Sequence, residues 1–245
     1  MSKPYKPNRV VWIIGINSGQ LDLISLKALT LISNCKFCFY VGSLISVGVL
    51  KLCSSAVCVR SVLKDSVEEV VYMMLCSEGL TVRLHSGSPF VYSGVNETSF
   101  YLSLIGLRCV VLPSVSVIDT ALAYLGCEFT SVWSKSVVIT RLSKKSLVGN
   151  KLFGLENVCS FKPLLVLYLS VRLIPFFCKL AVYAYCLDCP VVCVFKSSWH
   201  TEAFLLSNLR WLQQDVRRSC AARMVLIIVG KALLSCAYSV NKLTY

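Results

Sequence analysis

Two loops in this chain join glycine to small oxygen-bearing side chains, one directly after an apolar run and one after the apolar-leaning LTVRLH: Gly15-Ile16-Asn17-Ser18-Gly19 and Ser86-Gly87-Ser88-Pro89. Glycine lets a backbone approach a ligand closely, and amides beside hydroxyls offer several hydrogen bonds, so such loops suit a polar cofactor. A dinucleotide site would need GxGxxG and an acidic residue about 20 positions further on for the ribose. Here Asn17 replaces the second glycine, and residues 35–42, CKFCFYVG, contain no acid. Asparagine tolerates a left-handed backbone, so the turn survives while the nicotinamide reading does not. Hydrolytic chemistry is equally poorly served. The histidines are His85 and His200 alone, no HExxH or GxSxG occurs, and the twelve acidic residues form no evident carboxylate pair. Chemistry in this chain is expected to come from binding and positioning a reactant, without a nucleophile–base pair.

Fourteen cysteines raise metal and redox alternatives. The pairs Cys35–Cys38 and Cys186–Cys189 are CxxC motifs, but a zinc ribbon needs two such pairs about 15 to 20 residues apart. Cys35 and Cys38 lie in a strand-like run, whereas a thioredoxin-type pair opens a helix. Most of the others, such as Cys53, Cys58, Cys76, Cys109, Cys178 and Cys193, sit inside apolar runs. They read as free core thiols, and no metal site is expected.

The apolar fraction is 56% and the mean hydropathy +0.70, yet no uninterrupted apolar run reaches the roughly 18 residues of a membrane span. Arg172, Lys179 and Asp188 break the most apolar region, and MSKPYKPNR is not followed by an apolar signal core. A soluble, cytoplasmic protein without membrane partners is expected. The net charge of +13 calls for an acidic partner or for none. Its basic residues are scattered, with no arginine-rich stripe, so nucleic acid is not expected. A small polycarboxylate would suit a diffuse basic surface equally well.

The elements that must carry these loops alternate. Val10–Ile16 reads as a buried strand, followed by a helix at Asp22–Ile32 with Asp22 as its N-cap. Strands are expected at Lys36–Val41, Cys58–Ser61, Leu80–His85 and Arg108–Leu112. Helices fall at Ser66–Glu78, Tyr92–Leu107 and Ser116–Leu125. Such alternation predicts an α/β fold with a mostly parallel sheet and ligand loops at the strand ends. A second α/β domain begins near Phe129, giving domains 1–128 and 129–245. Strands are expected in it at 136–140, 164–169, 191–196, 203–206 and 224–229, and helices around 171–187 and 208–220, after a basic linker at 141–157.

Taken together, the loops are recognisable. GINSGQLDLIS at 15–25, RLHSGSPFVY at 83–92, PSVS at 113–116, VVITR at 137–141, LVLYL at 165–169, PVVCVFKSSW at 190–199 and VLIIVG at 225–230 resemble, in order, the tetrapyrrole (corrin/porphyrin) methyltransferases. YVGSLIS, RLHSG and KSSW resemble most the members that methylate precorrin-4 at ring carbon 11 in cobalamin biosynthesis. The alternatives are another precorrin or uroporphyrinogen III as acceptor, and a non-catalytic RNA- or ligand-binding protein on a decayed methylase fold. The resemblance implies two α/β domains, a homodimer, and S-adenosylmethionine held in the interdomain cleft, with S-adenosylhomocysteine as product. Carried over by motif position, the cofactor contacts are Ser18, Ser86, Gly87, Ser88, Val91, Ser116, Val117, Leu169 and Ser197. The polycarboxylate tetrapyrrole acceptor would use Arg83, Arg141, Lys196 and Lys231. The resemblance assigns no catalytic acid or base.

The chain departs from the family pattern at several points. Ser88 stands where the family usually has aspartate, Ser18 where proline is usual, and Ser114 in a turn that is usually Pro-Gly-Val. His200-Thr201-Glu202 replaces Pro-Asp-Glu after KSSW. A left-handed glycine replaced by serine would cost about 1 kcal/mol, so reduced activity or stability is expected from these changes.

Overall fold

Apolar runs closed by glycine and serine loops become strands, and the amphipathic segments between them become the helices that cover the sheets. The computed structural model describes residues 9–16, 19–42, 45–142, 153–197, 199, 201–219 and 225–235, without the side chains of 153–156. The chain divides into two compact units, Met1–Val117 and Ile118–Tyr245, and each carries a five-stranded sheet.

In the first unit the strands are β1 (Val10–Gly15), β2 (Phe37–Tyr40), β3 (Cys58–Ser61), β4 (Thr81–His85) and β5 (Arg108–Leu112). They lie in the order β3-β2-β4-β1-β5, and every pairing is parallel. The helices are α1 (Leu26–Asn34), α2 (Val47–Lys51), α3 (Val67–Cys76) and α4 (Val95–Leu104). A parallel sheet covered on both faces needs strands that are apolar on both sides, which is why β1 reads as an unbroken run. On one face Ile14, Cys38, Val82 and Leu84 pack with Ala28 and Ile32 of α1 and Val49 of α2. On the other, Val11 and Phe39 pack with Val70, Val71 and Met74 of α3 and Leu102 of α4.

Local chemistry sets the helix starts. Ser66 and Glu69 form a reciprocal capping box on α3: Ser66 N donates to Glu69 Oε2 at 2.7 Å, and Glu69 N donates to Ser66 Oγ at 3.2 Å. The expected N-cap at Asp22 is corrected. Leu21–Leu23 is a separate turn of 3-10 helix, and Ser25, accepting from Ala28 N at 3.2 Å, caps α1. The helix expected from Tyr92 starts at Val95, because Gly94 takes the left-handed φ of 72° immediately before it.

The second unit follows α5 (Val117–Leu125) with β6 (Val137–Arg141), α6 (Phe153–Ser160), β7 (Leu164–Tyr168), α7 (Ile174–Tyr185), β8 (Pro190–Phe195), β9 (Ala203–Asn208), α8 (Leu212–Arg218) and β10 (Val225–Val229). The strand order is β6-β7-β10-β8-β9. β6 and β7 are parallel, whereas β10 is antiparallel to both β7 and β8, and β8 to β9. β6, β7 and β8 therefore run in one direction and finish at one edge of the sheet. Leu165, Leu167, Val191, Cys193, Val225, Ile227 and Val229 face a core shared with Phe177 and Ala181 of α7 and Leu212 and Val216 of α8. Part of the basic linker lies outside the described residues, and α6 forms near its end.

Eleven described cysteines are free thiols, with Cys35, Cys38, Cys53, Cys159, Cys189 and Cys193 buried. Cys127 departs from the free-thiol expectation and is held in a disulfide. Among the described residues no helix is long and apolar enough to cross a membrane.

Candidate functional site

Because every strand of the first sheet points the same way, the loops after β1, β4 and β5 leave from one edge, as ligand loops do in open parallel sheets. β1 lies between β4 and β5, so its loop is flanked by the other two. Gly15 closes β1 with no room to spare. A Cβ there would lie 2.3 Å from Ser114 Oγ, 2.6 Å from Pro89 Cδ and 2.8 Å from the Gly87 carbonyl oxygen. All three loops thus converge over a residue that has no side chain.

The 86–94 loop is held from within and from outside. Gly87 is buried and left-handed, with φ of 67°. Ser114 Oγ donates to its carbonyl at 2.7 Å. A Cβ on Gly87 would point toward Val117, 3.9 Å from its amide nitrogen. Ser88 Oγ accepts from Phe90 N at 3.3 Å, Ser93 Oγ donates to the Pro89 carbonyl, and Pro89 is buried. Ser86, Ser88, Val91, Ser116 and Val117 are all half-buried. The structure therefore gathers Ser86, Gly87, Ser88, Ser116 and Val117 at one end of the sheet, with Val91 in the same loop. Ser18 lies outside the described residues. Neither Ser88 nor Ser114 has a positive φ, so the backbone penalty expected of serine in a left-handed position does not arise at either.

Arg83 and His85 project from the opposite face of β4 to Val82 and Leu84, beneath this loop. Arg83 is only 8% exposed, and its guanidinium donates to Thr98 Oγ1. Thr98 Oγ1 in turn donates to the Gly94 carbonyl at 3.1 Å, which ties β4 to the end of the loop. Burial holds Arg83 below its ordinary pKa. His85 is 7% exposed; burial, reinforced by the Arg83 charge, pushes its pKa down to about 3. It is a neutral imidazole, and its Nε2, like Nε of Arg83, is buried without a hydrogen-bond partner.

In the second unit Arg141, Leu169, Lys196 and Ser197 follow or close β6, β7 and β8, and so share one edge of the sheet. Arg141 sits in register with Tyr168 and is exposed. Ser170 Oγ fixes the neighbouring turn, accepting from Leu142 N at 2.9 Å and donating to the Tyr168 carbonyl at 2.7 Å. Ser197 is buried, and its Oγ lies 2.8 Å from Thr120 Oγ1. Lys196 is exposed. Lys231 is not brought to this edge. It follows β10, which runs the other way, beside Gly230, whose N–H donates to the Pro190 carbonyl at 3.2 Å. Its ammonium lies 5.9 Å from the Trp133 ring centroid.

Backbone strain marks the same loops. Of the five described non-glycine residues with positive φ, Tyr92 (53°), Leu169 (51°) and Lys196 (47°) lie in the segments just described. Such conformations cost free energy and concentrate where a ligand must be met.

The model of the tetrapyrrole (corrin/porphyrin) methylases matches residues 10–213. The chain belongs to this family. A precorrin-4 C(11)-methyltransferase of Rhodococcus erythropolis is 29% identical over 227 residues, which span 91% of each protein. The methylase fold is matched by the solved structure of a cobalamin biosynthetic enzyme, cobalt precorrin-4 methyltransferase. That match has a TM-score of 0.84 and 27% identity, and covers 91% of this chain and 95% of the other. A uroporphyrin-III C-methyl transferase from Thermus thermophilus, solved with S-adenyl homocysteine, shares the methylase fold at a TM-score of 0.76 and 18% identity. It covers 93% of this chain and 99% of its own. Thr98, Ser114 and Thr120 support the methylase loops in this chain, and the motifs did not mark them as contacts. Ser114 had one signal, its departure from the usual turn. Thr98 and Thr120 had none: neither belongs to a motif, and Thr120's partner Ser197 lies 77 residues away.

Proposed function

We propose that this methylase transfers a methyl group from S-adenosylmethionine to ring carbon 11 of precorrin-4 or cobalt-precorrin-4, working as a cytoplasmic homodimer. The observation that carries the reading is the convergence of the loops after β1, β4 and β5 on Gly15 and Gly87. There a cradle of backbone groups forms over Gly15, which has no room for a side chain, and beside Gly87, whose φ of 67° is left-handed. The names of its relatives, at 27–29% identity across nine-tenths of the chain, support the choice of acceptor.

The residues present fit the cofactor. Its adenosine and methionine portions ask for backbone N–H and C=O groups between apolar walls. The reading assigns those contacts to Ser86, Gly87, Ser88, Val91, Ser116, Val117, Leu169 and Ser197, with Ser18 completing the first loop. The chemistry that bound S-adenosylmethionine supplies is an electrophilic methyl on sulfonium. What the chain contributes is alignment and exclusion of water, which together supply about 7–11 kcal/mol toward such a barrier. Arg141 and Lys196, both exposed, would hold acetate and propionate carboxylates of the ring. Arg83 supports the loop through Thr98 in this reading, and Lys231 has no part.

The test is incubation of the purified protein with methyl-labelled S-adenosylmethionine and precorrin-4, with and without cobalt, followed by NMR of the product. A single new methyl on C11 is expected. A methyl on another ring carbon would assign a different precorrin step, and no methyl transfer from protein shown to be folded would defeat the proposal.

A further inference from the structure

The serine at 114 stands in a turn that the family usually builds with glycine, and its side chain is not idle. Its Oγ donates to the Gly87 carbonyl at 2.7 Å, a bond between the loops after β5 and β4. Those strands are separated by β1, a gap of about 10 Å between backbone axes. The bridge therefore passes over the end of β1. That explains Gly15: a Cβ there would meet Ser114 Oγ first, at 2.3 Å, and then Pro89 and the Gly87 carbonyl.

We infer that Ser114 is a positioning residue for cofactor binding, a strut that sets the Gly87 peptide. Gly87 is left-handed, which turns its peptide away from the strand direction of β4. In that conformation a carbonyl without a donor is free to rotate with the loop. Glycine at 114 has no hydroxyl to offer, so the usual turn leaves this link unmade. Ser114 does so without adopting a positive φ, and the substitution carries none of the strain it would carry in a left-handed turn. Ser88, at the position usually acidic, bonds among the described residues within its own loop, to Phe90 N. Support from outside the loop comes from Ser114, so the two departures from the family pattern compensate one another.

The inference rests on the methyltransferase reading for its functional half, and the experiment separates the two. S114A and S114T are compared with the wild type by calorimetry with S-adenosylhomocysteine, and by hydrogen–deuterium exchange of residues 86–90 in the unliganded protein. S114A is expected to weaken binding about 3- to 10-fold, the worth of one hydrogen bond, and to speed exchange at 86–90 by a similar factor. KM for S-adenosylmethionine should rise while kcat changes little. S114T, which keeps the hydroxyl, should restore both. Equal affinity and equal exchange in S114A would overturn the inference while leaving the methyltransferase reading intact. A wild-type protein that binds no S-adenosylhomocysteine would instead defeat that reading, and faster exchange at 86–90 in S114A would still establish the strut.

Discussion

The missing side chain of Gly87 points at the backbone of Val117: a Cβ built on Gly87 would lie 3.9 Å from the Val117 amide nitrogen. Two loops from different strands thus meet face to face with only a hydrogen atom on one side. Gly87→Ala would place a methyl in front of that amide and force alanine into φ of 67°, at about 1 kcal/mol. Protein carrying it should fold, melt a few degrees lower, and bind S-adenosylhomocysteine at least tenfold more weakly by calorimetry. Affinity equal to the wild type would remove Gly87 from the cofactor cradle.

Ser197 and Thr120 form a second such pair, with hydroxyls 2.8 Å apart. Ser197 is buried, so its removal withdraws a hydrogen bond from a poorly solvated place. Ser197→Ala and Thr120→Val should each destabilise by about 1–2 kcal/mol in urea titrations. The double variant should fall short of their sum by about 0.5 kcal/mol or more. Strict additivity would mean that the two hydroxyls do not act as a pair.

Leu169 holds φ of 51° while its side chain is 53% exposed. Glycine would relieve about 1–2 kcal/mol of left-handed strain and return about 0.5–1 kcal/mol in chain entropy. Leu169→Gly should therefore be neutral to slightly more stable by thermal melting, yet bind S-adenosylhomocysteine less well. A gain in stability with no loss of affinity would show that Leu169 is strained for some purpose other than the cofactor.

His85 makes stability depend on pH in a known direction. Its folded pKa is pushed down to about 3, against an ordinary 6.5, so the unfolded chain takes up the proton first as pH falls. The contribution is complete above pH 6.5 and is lost between pH 6.5 and 3, amounting to about 2 kcal/mol at pH 5. The difference in unfolding free energy between wild type and His85→Gln should shrink by that amount from pH 7 to pH 5. Parallel pH profiles for the two proteins would mean that His85 does not stay neutral when folded.

The apolar runs at 10–15 and 225–229 could only become buried strands, and the Ser66–Glu69 spacing suits a helix cap, because both depend on neighbours within a few residues. The loop motifs were legible for the same reason: glycine and serine at strand ends constrain the local backbone wherever the chain goes next. Asp22 misled because an acid before an apolar stretch suits a 3-10 turn as well as a cap, and Ser25 lay closer to the helix.

Residue types and their order along the chain determined the α/β elements, the methylase family and the set of loops that carry its motifs. Tertiary structure alone decided which residues those loops lean on. Arg83 turned inward to Thr98 because its strand face is covered by α4, and Lys231 went to the far edge because β10 runs antiparallel to β7 and β8. Strand direction is a pairing choice made between segments as far apart in sequence as Val10 and Arg108, and no local pattern encodes it. Ser114 is the clearest case. In the sequence it is one serine in place of a glycine, and only the crossing of β1 by its bond to Gly87 makes it a strut.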